Sequence, residues 1–236
     1  MKTILKLMAF LCTMSVCVNA LASDWVLKKE TEGVKVYTRE VAGRKYKELM
    51  GVYQADVPFE VAVEVAKDYD HYYEWYGMCK TLRVISKKSP RDVDMYFVLD
   101  TPVVTNRDAV VNVKSDYNYS EGIAKITFKG IDSPYMKGAG LVRMPVVDGN
   151  FTLSRINLRK TKVVYTVYVD MGGILPAWVA NLAATKHPFD TGVGILKQVK
   201  KAIYAERAKR AHGENQGGRS NGHGQGVNRW YSPLGR

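Results

Sequence analysis

Apolar and polar residues alternate along most of the chain, which is the pattern of β-strands that turn one face toward a core. The alternating segments after residue 80 are separated by short turns, so consecutive strands are predicted to pair antiparallel. The predicted strands cover residues 34–39, 46–57, 81–87, 93–100, 108–116, 123–131, 141–147, 149–158 and 161–170. In the last of these, Tyr165 and Val167 share one face of the strand.

Helical patterns interrupt this alternation at two points along the chain. Pro58 begins a predicted helix over residues 59–67, and the aromatic run DYDHYYEWYG from Asp68 is predicted to pack as a bent second helix. The sequence DMGGILPAW from Asp170 combines a Gly-Gly turn with a proline at a helix start, which predicts a long helix over residues 176–204. This order of strands, helices, strands and a final helix predicts an α+β fold.

The last predicted helix has one apolar face. Its apolar residues recur at spacings of four, three, three and four, and they are Phe189, Val193, Leu196, Val199 and Ile203. Pro188 removes a backbone donor and is predicted to kink the helix. Gly192 and Gly194 weaken it by about 1 kcal/mol each relative to alanine. They either mark a point where the helix opens or allow it to pack closely on the sheet.

The N-terminal residues are organised like a secretory signal peptide. Lys2 and Lys6 precede an apolar run over residues 7–18, and Ala20 and Ala22 are the small residues that a signal peptidase accepts. We therefore expect residues 1–22 to be removed and the protein to be exported, with a bacterial periplasm as its compartment. An uncleaved membrane anchor is the alternative, but the apolar run is shorter than the roughly 20 residues that a bilayer span needs.

Composition separates a core-forming domain from a tail. Of three cysteines only Cys79 follows the predicted signal peptide, so residues 23–204 are expected to form a domain without an internal disulfide. Residues 205–236 are rich in Gly, Asn, Gln, Ser and Arg, which predicts a disordered tail. This tail either touches anionic lipid through its arginines or has no function.

The chain is strongly basic, with a formal net charge of +12. Its Lys and Arg residues are scattered over predicted strands and turns, apart from Lys197, Lys200, Lys201 and the tail. Because an exported protein does not meet nucleic acid, we expect transient contact with an anionic membrane surface and no nucleic-acid partner.

Several motifs, taken in order, resemble those of the START family, the steroidogenic acute regulatory protein-related lipid-transfer domains. They are GVKVY from Gly33, the aromatic segment with Trp75, YFVLDTPVVTNRD from Tyr96, SPYMKGAGLVRM from Ser133 and DMGGILPAWVANL from Asp170. The resemblance implies a helix-grip fold, in which a curved antiparallel β-sheet wraps around a long C-terminal α-helix and leaves an apolar tunnel for one lipid. The family binds sterols, phospholipids, ceramides and other apolar ligands, so it does not choose the ligand.

Candidate ligand-binding residues come from the charged motifs, the last strand and the last helix. We expect Arg107, Asp108 and Arg143 to form a structural ion pair or, alternatively, a polar anchor for a ligand hydroxyl or phosphate. Arg143 is the better phosphate candidate because its guanidinium matches two oxygens. The other candidates are Tyr165, Val167, Trp178, Phe189, Val193 and Leu196.

The sequence favours a monomeric, non-enzymatic protein that binds one lipid or sterol-like molecule and transfers it between membranes. The four histidines lack ligand spacing, so no metal or other cofactor is expected. Cys79 has no evident base partner and is expected to be a core thiol.

Two other functions stay open. An enzyme acting on an apolar substrate in the same cavity would need a His, Asp or Glu that faces the tunnel with a shifted pKa. An adaptor would instead bind membranes or partners through the basic tail, and deletion after Ala205 would abolish its function while ligand binding persists.

Overall fold

The computed structural model describes residues 24–31 and 33–217. Within them, ten strands belong to one sheet, and the chain also forms three α-helices and a short 3₁₀-helix. The strands are β1 (Val26–Thr31), β2 (Val34–Arg39), β3 (Glu48–Ala55), β4 (Cys79–Ser89), β5 (Asp92–Leu99), β6 (Arg107–Asn118), β7 (Ile123–Gly130), β8 (Val142–Arg143), β9 (Val146–Asn157) and β10 (Lys160–Asp170). The helices are α1 (Phe59–Lys67), the 3₁₀-helix (Tyr69–Glu74), α2 (Ala177–Gln198) and α3 (Ala202–Gly217).

The sheet is antiparallel except for one short pairing. Its order is β1-β2-β3-β10-β9-β7-β6-β5-β4, and the two-residue strand β8 pairs parallel with the start of β6. Helix α2 lies across β2 and β3, so the curved sheet holds a C-terminal helix. The predicted α+β helix-grip fold is therefore confirmed.

Alternation along the strands separates the core from the exterior. In β5 the inner residues Val93, Met95, Phe97 and Leu99 are buried in the main core. The opposite face of the same strands carries a smaller apolar cluster of Tyr96, Val98 and Val110, with Tyr135 and Leu141 from the connection before β8 packed against it. Both faces of β5 and β6 are thus covered, which explains their nearly continuous apolar sequence.

One predicted turn is part of a strand. The predicted strands 141–147 and 149–158 were expected to meet in a turn at Asp148-Gly149, but β9 runs through both residues. The Phe128 ring on the neighbouring strand lies over Gly149, where a Cβ would come within 2.5 Å of its Cζ. Gly149 makes room for an aromatic ring here instead of forming a turn.

The predicted final helix is two helices. α2 ends at Gln198, and after residues 199–201 the chain continues as α3. The Gln198 side chain fixes this break, because its amide donates to the Tyr204 hydroxyl at 2.7 Å and to Glu74 Oε2 at 3.1 Å. The 3₁₀-helix is thereby joined to the junction of the two C-terminal helices.

The domain extends further than the predicted boundary at residue 204. α3 continues to Gly217 and packs on α1 despite its polar composition. Arg207 forms an ion pair with Asp68 at 2.7 Å, and the His212 ring lies 4.3 Å from the Tyr119 ring between centroids. These contacts order a segment that composition assigns to a disordered tail. The predicted signal peptide over residues 1–22 and the tail after residue 217 lie outside the described residues.

The buried face of α2 is rotated from the predicted one. Pro188, Thr191, Gly192 and Ile195 are buried, whereas Phe189, Val193 and Leu196 are only partly buried. Of the other two residues on the predicted face, Val199 is buried and Ile203 is 41% exposed. A Cβ on Gly192 would lie 2.3 Å from the Tyr53 ring, and one on Gly194 would lie 2.4 Å from the Trp75 carbonyl oxygen. The glycines therefore allow close packing, which was one of the two interpretations. No described helix is long and apolar enough to span a bilayer.

Candidate ligand-binding site

A cavity of about 380 Å³ lies between the N-terminal half of α2 and the sheet. Its wall combines one helix face, strand ends and the segment that follows the 3₁₀-helix. The lining residues are Glu40, Lys45, Tyr46, Lys47, Leu49, Tyr76, Met78, Phe97, Leu99, Val169, Met171, Leu175, Ala177, Ala180, Asn181, Ala183, Ala184 and His187.

The cavity is unfilled because the residues of α2 that face it are mostly alanines. Ala177, Ala180 and Ala184 recur at spacings of three and four, so their methyl groups share the side of α2 that faces the sheet. Of the larger apolar residues between them, Trp178 and Leu182 are exposed and Val179 is buried. Small side chains on the inner face leave unfilled volume that leucines at the same positions would occupy.

Polar and apolar groups are separated along the cavity. The floor is formed by apolar residues such as Leu99, Val169 and Met171. Charged residues stand at the rim, where Lys47 Nζ lies 3.0 Å from Glu40 Oε1 and both side chains are exposed. Such a site accommodates an apolar body inside and a polar group at the opening.

A chain of hydrogen bonds crosses the deep end of the cavity. His187 Nδ1 lies 2.8 Å from the Gly77 carbonyl oxygen, which can only accept, so Nδ1 carries a proton. Burial lowers the pKa of His187 to about 4, so the ring is neutral and Nε2 accepts from the Tyr165 hydroxyl at 2.7 Å. Because the Tyr165 hydroxyl donates its proton to His187, its oxygen accepts a hydrogen bond from the Tyr76 hydroxyl at 2.9 Å.

His187 meets one requirement of the alternative hypothesis that the protein is an enzyme. His187 lines the cavity and has a shifted pKa, as that alternative requires. Both of its ring nitrogens are nevertheless engaged within the protein, and the lowered pKa makes it a weak base. The ring is arranged as a structural connector between α2, β10 and the segment after the 3₁₀-helix.

The C-terminal half of α2 is held to the sheet by further bonds. The Tyr53 hydroxyl donates to the Pro188 carbonyl oxygen at 2.6 Å. Thr191 Oγ1 donates to the His187 carbonyl oxygen at 2.8 Å and accepts from the Gly77 backbone N–H at 2.9 Å. These hydrogen bonds all lie at or after His187, in the C-terminal half of α2.

None of the nine predicted site residues lies on the cavity wall. Tyr165 is one layer deeper, in contact with the wall residues Tyr76 and His187. Val167 is fully buried in the core, and Trp178 points outward with 56% of its surface exposed. Phe189 lies beneath Lys29 Nζ at 3.3 Å, Val193 lines an outer groove and Leu196 packs over Gly33. The predicted helix face followed large apolar residues, whereas the face of α2 that lines this cavity carries small ones.

The charged candidates form a structural ion pair. Arg143 donates from Nε and Nη2 to the two oxygens of Asp108, both at 2.9 Å, and also donates to the Ser133 and Tyr135 carbonyl oxygens. The bond to Asp108 raises the pKa of Arg143. Asp108 therefore belongs to an ion pair, but its partner is Arg143 and not the adjacent Arg107.

Arg107 lies away from that pair. It is 1% exposed and donates to the Thr105 carbonyl oxygen and, at 3.4 Å, to the Ile174 carbonyl oxygen. Its Nε has no hydrogen-bond partner among the described residues, and burial lowers the pKa of its guanidinium. Arg107 thus connects the β5–β6 loop to the loop before α2.

Cys79 has the environment of an inert thiol. Its Sγ lies 3.4 Å from the Thr81 carbonyl oxygen, and burial raises its pKa to about 12. A thiol with so high a pKa is not a nucleophile near neutral pH.

Comparison with known proteins identifies this architecture. A STAR-related lipid transfer protein from Xanthomonas axonopodis has a crystal structure that superposes with a TM-score of 0.66 at 25% identity, over 75% of this chain and 99% of that one. The chain of the present structure therefore has the START fold. Human StAR-related lipid transfer protein 5 has the same fold, with a TM-score of 0.67 at 17% identity over 76% of this chain and 88% of its own.

A sequence relative is found in Pseudomonas aeruginosa. This uncharacterized protein is 32% identical over 186 residues, which cover 78% of this chain and 90% of the relative. The START-fold chain belongs to the same family as that protein. No protein-family model matches the chain.

Proposed function

We propose that this START-fold protein binds one lipid or similar apolar ligand in the cavity beneath α2 and transfers it between membranes. The observation that carries the proposal is the apolar cavity of about 380 Å³ with a charged rim. Ligand pockets in proteins measure about 300–1,000 Å³, so this volume lies at the lower end and favours a ligand with a single chain or a compact ring system.

The energetics suit exchange rather than permanent retention. Each methylene that leaves water contributes about 0.8 kcal/mol, so a chain of about sixteen carbons gains roughly 13 kcal/mol on entering the cavity. The same chain loses nearly the same free energy on leaving a bilayer. A ligand can therefore pass between a membrane and the protein at a small net free energy.

An exposed apolar patch beside the cavity supports contact with a membrane. We call Val103, Ile174, Trp178 and Leu182 the apical patch; Ile174 is 95% exposed, and Val103 and Ile174 line one surface groove. Trp178 and Leu182 share a face of α2, and the cavity lies beneath the same helical turns. Large apolar side chains held in water commonly mark an interaction surface.

The partner proposed for the apical patch is an anionic bilayer. Lys45 and Lys47 stand at the rim of the cavity, and the chain as a whole has a net charge of +12. Basic residues near an anionic surface contribute about 1 kcal/mol each to binding. We further propose that this transfer takes place outside the cytoplasm, on the basis of the signal-like residues 1–22.

Filling the cavity tests the binding function. Ala184→Phe places a ring in the open volume, and we expect it to lower the affinity for a fluorescent fatty acid at least tenfold while the protein stays folded. Ala211→Phe, at an exposed position on α3, is the matched control and should bind like the unmodified chain. Equal affinity of the Ala184→Phe variant would overturn the proposed site, and lipid extraction with mass spectrometry identifies the natural ligand.

A second candidate is an enzyme that uses His187 on an apolar substrate. The observation in its favour is the position of His187 on the cavity wall with a lowered pKa. Bound native ligand that is recovered chemically unchanged after prolonged incubation would exclude it. A ligand converted by the unmodified chain but left intact by His187→Gln would favour it.

A further inference from the structure

The cavity is followed by two smaller voids deeper in the core. The first has a volume of about 30 Å³ and shares Tyr76 and Phe97 with the cavity wall. The second has a volume of about 20 Å³ and shares Tyr72, Ile126 and Phe151 with the first. The three spaces therefore form a row in which side chains, and not backbone, are the partitions.

The partition between the cavity and the first void is a pair of aromatic rings. The Tyr76 and Phe97 rings meet edge to face, with centroids 6.0 Å apart and an interplanar angle of 75°. The Tyr76 hydroxyl is held by Tyr165, whose own hydroxyl is held by His187. The Phe97 ring cannot form a side-chain hydrogen bond, and its position is set by the backbone of β5. Tyr76 is thus the part of the wall whose position depends on a hydrogen bond.

The inner voids suit the end of an apolar chain. Met95, Val111, Val113 and Phe128 supply most of the other wall of the first void. The polar group at its edge, the Tyr72 hydroxyl, already donates to the Ala66 carbonyl oxygen. A polar head group would find no partner there, whereas a terminal methyl group needs none. A ligand would accordingly lie with its head at the Lys45 and Lys47 rim and its tail toward Tyr76.

We propose that Tyr76 is the specificity-determining residue that sets the maximum chain length of the ligand. Its ring ends the cavity, and its removal joins the cavity to the inner voids. This inference rests on the proposed function, since it assumes that an apolar chain occupies the cavity. It also gives the hydrogen bonds from Tyr76 through Tyr165 to His187 a role, which is to hold that ring in place.

The test measures binding of saturated fatty acids that differ by two carbons, for the unmodified chain and for Tyr76→Ala. For the unmodified chain, affinity should rise with length and then stop rising. For Tyr76→Ala, the rise should continue for about two to four further carbons, and the longest acids should bind roughly 10- to 200-fold tighter than to the unmodified chain. Tyr76→Phe, which keeps the ring but loses the tether, should give an intermediate gain.

Two further variants locate the effect. Leu175→Ala also enlarges the cavity but leaves the partition intact, so it should not move the length limit. Val113→Phe fills the first void, and added to Tyr76→Ala it should restore the original limit. Retention of the folded circular-dichroism spectrum by each variant accompanies these measurements.

The outcomes separate the two proposals. If the unmodified chain shows a length limit and Tyr76→Ala keeps it, the role of Tyr76 is overturned while the binding function stands. If the limit moves but Val113→Phe does not restore it, Tyr76 limits the chain length, but the claim that the longer chain enters the first void is overturned. If neither protein binds any acid of the series, both proposals fail together.

Discussion

His187 Nε2 accepts a hydrogen bond from the Tyr165 hydroxyl at 2.7 Å, which ties α2 to β10 through the interior of the protein. Because Nδ1 of the same ring donates to the Gly77 carbonyl oxygen, one neutral imidazole joins three segments that are distant in sequence. Protonation of Nε2 would place an unpaired positive charge in the core. It would also make Nε2 a donor, so that it and the Tyr165 hydroxyl would point two hydrogens at each other.

Acidification should therefore destabilise the protein through His187. The ordinary histidine pKa of 6.5 falls to about 4 in the folded state, so between these values the unfolded chain binds more protons. The free energy of unfolding should decrease as the pH falls from 6.5 toward 4, by roughly 3 kcal/mol over the whole interval.

Urea unfolding at a series of pH values measures this slope. His187→Gln cannot titrate and can keep both hydrogen bonds, so its stability should vary less over the same interval. The titration of Glu74, whose pKa is lowered in the folded state by its bond with Lys201, is common to both proteins and cancels in this comparison. Identical slopes for the two proteins would contradict the prediction.

Gly192→Ala should destabilise the protein although alanine favours helices. The new Cβ would lie 2.3 Å from the Tyr53 ring, and such overpacking costs about 1–3 kcal/mol, which exceeds the helix-propensity gain of about 1 kcal/mol. Thermal and urea unfolding measure the loss. In a Tyr53→Leu background the obstacle is absent, so the same substitution should cost much less; an unchanged cost would refute the explanation.

Asp108→Asn should reduce stability without affecting ligand affinity. Asp108 is 2% exposed and its two oxygens receive two bonds from Arg143, and breaking such a buried pair costs about 3 kcal/mol. Asp56→Asn, which removes the exposed partner of Lys160, is the matched control and should change stability little. A selective loss of phospholipid binding in Asp108→Asn would instead restore Arg143 as a ligand anchor.

Trp178→Ser should weaken binding to vesicles that contain phosphatidylglycerol. The indole ring is a large exposed part of the apical patch, and its loss should lower vesicle affinity about tenfold in a sedimentation assay. Leu158→Ser alters an 83% exposed apolar residue in the β9–β10 turn, at the opposite end of β10 from the cavity, and should have no effect. Equal losses in both variants would show that the apical patch has no special role.

Two C-terminal deletions should have different effects. Deletion of residues 206–236 removes the contacts of Arg207 and His212 with the body of the domain, so it should lower the free energy of unfolding by more than about 1 kcal/mol. Deletion of residues 218–236 removes three arginines and no acidic residue, so it should leave stability unchanged and weaken binding to anionic vesicles. If the shorter deletion abolished function with ligand and vesicle binding intact, the adaptor hypothesis would be favoured.

Much of the fold could be predicted from local sequence patterns. Alternation locates the strands of the sheet, and the Gly-Gly-containing loop before α2 is recognised because Gly172 and Gly173 both adopt positive φ angles there. Gly149 shows where such reasoning stops. Whether a glycine bends the chain or accommodates a ring depends on a residue of another strand, Phe128, and no local pattern contains that information.

The site was harder to predict than the fold for a related reason. A cavity is defined by side chains that are too small to meet, whereas hydrophobic patterns emphasise large ones. The spacing of Ala177, Ala180 and Ala184 was a usable signal, especially beside the outward-facing Trp178. The partnership of Asp108 with Arg143 depends on the parallel pairing of β6 and β8, which joins residues 35 positions apart.

The apolar floor of the cavity offers water almost no hydrogen-bonding partners. Apolar cavities of this kind tend to stay dry, so a ligand that departed into solvent would leave a surface that water wets poorly. A bilayer pressed against the opening receives the departing chain while shielding that surface. The proposed ligand should consequently leave slowly in free solution and fast on contact with a bilayer, which would confine exchange to the membrane surface.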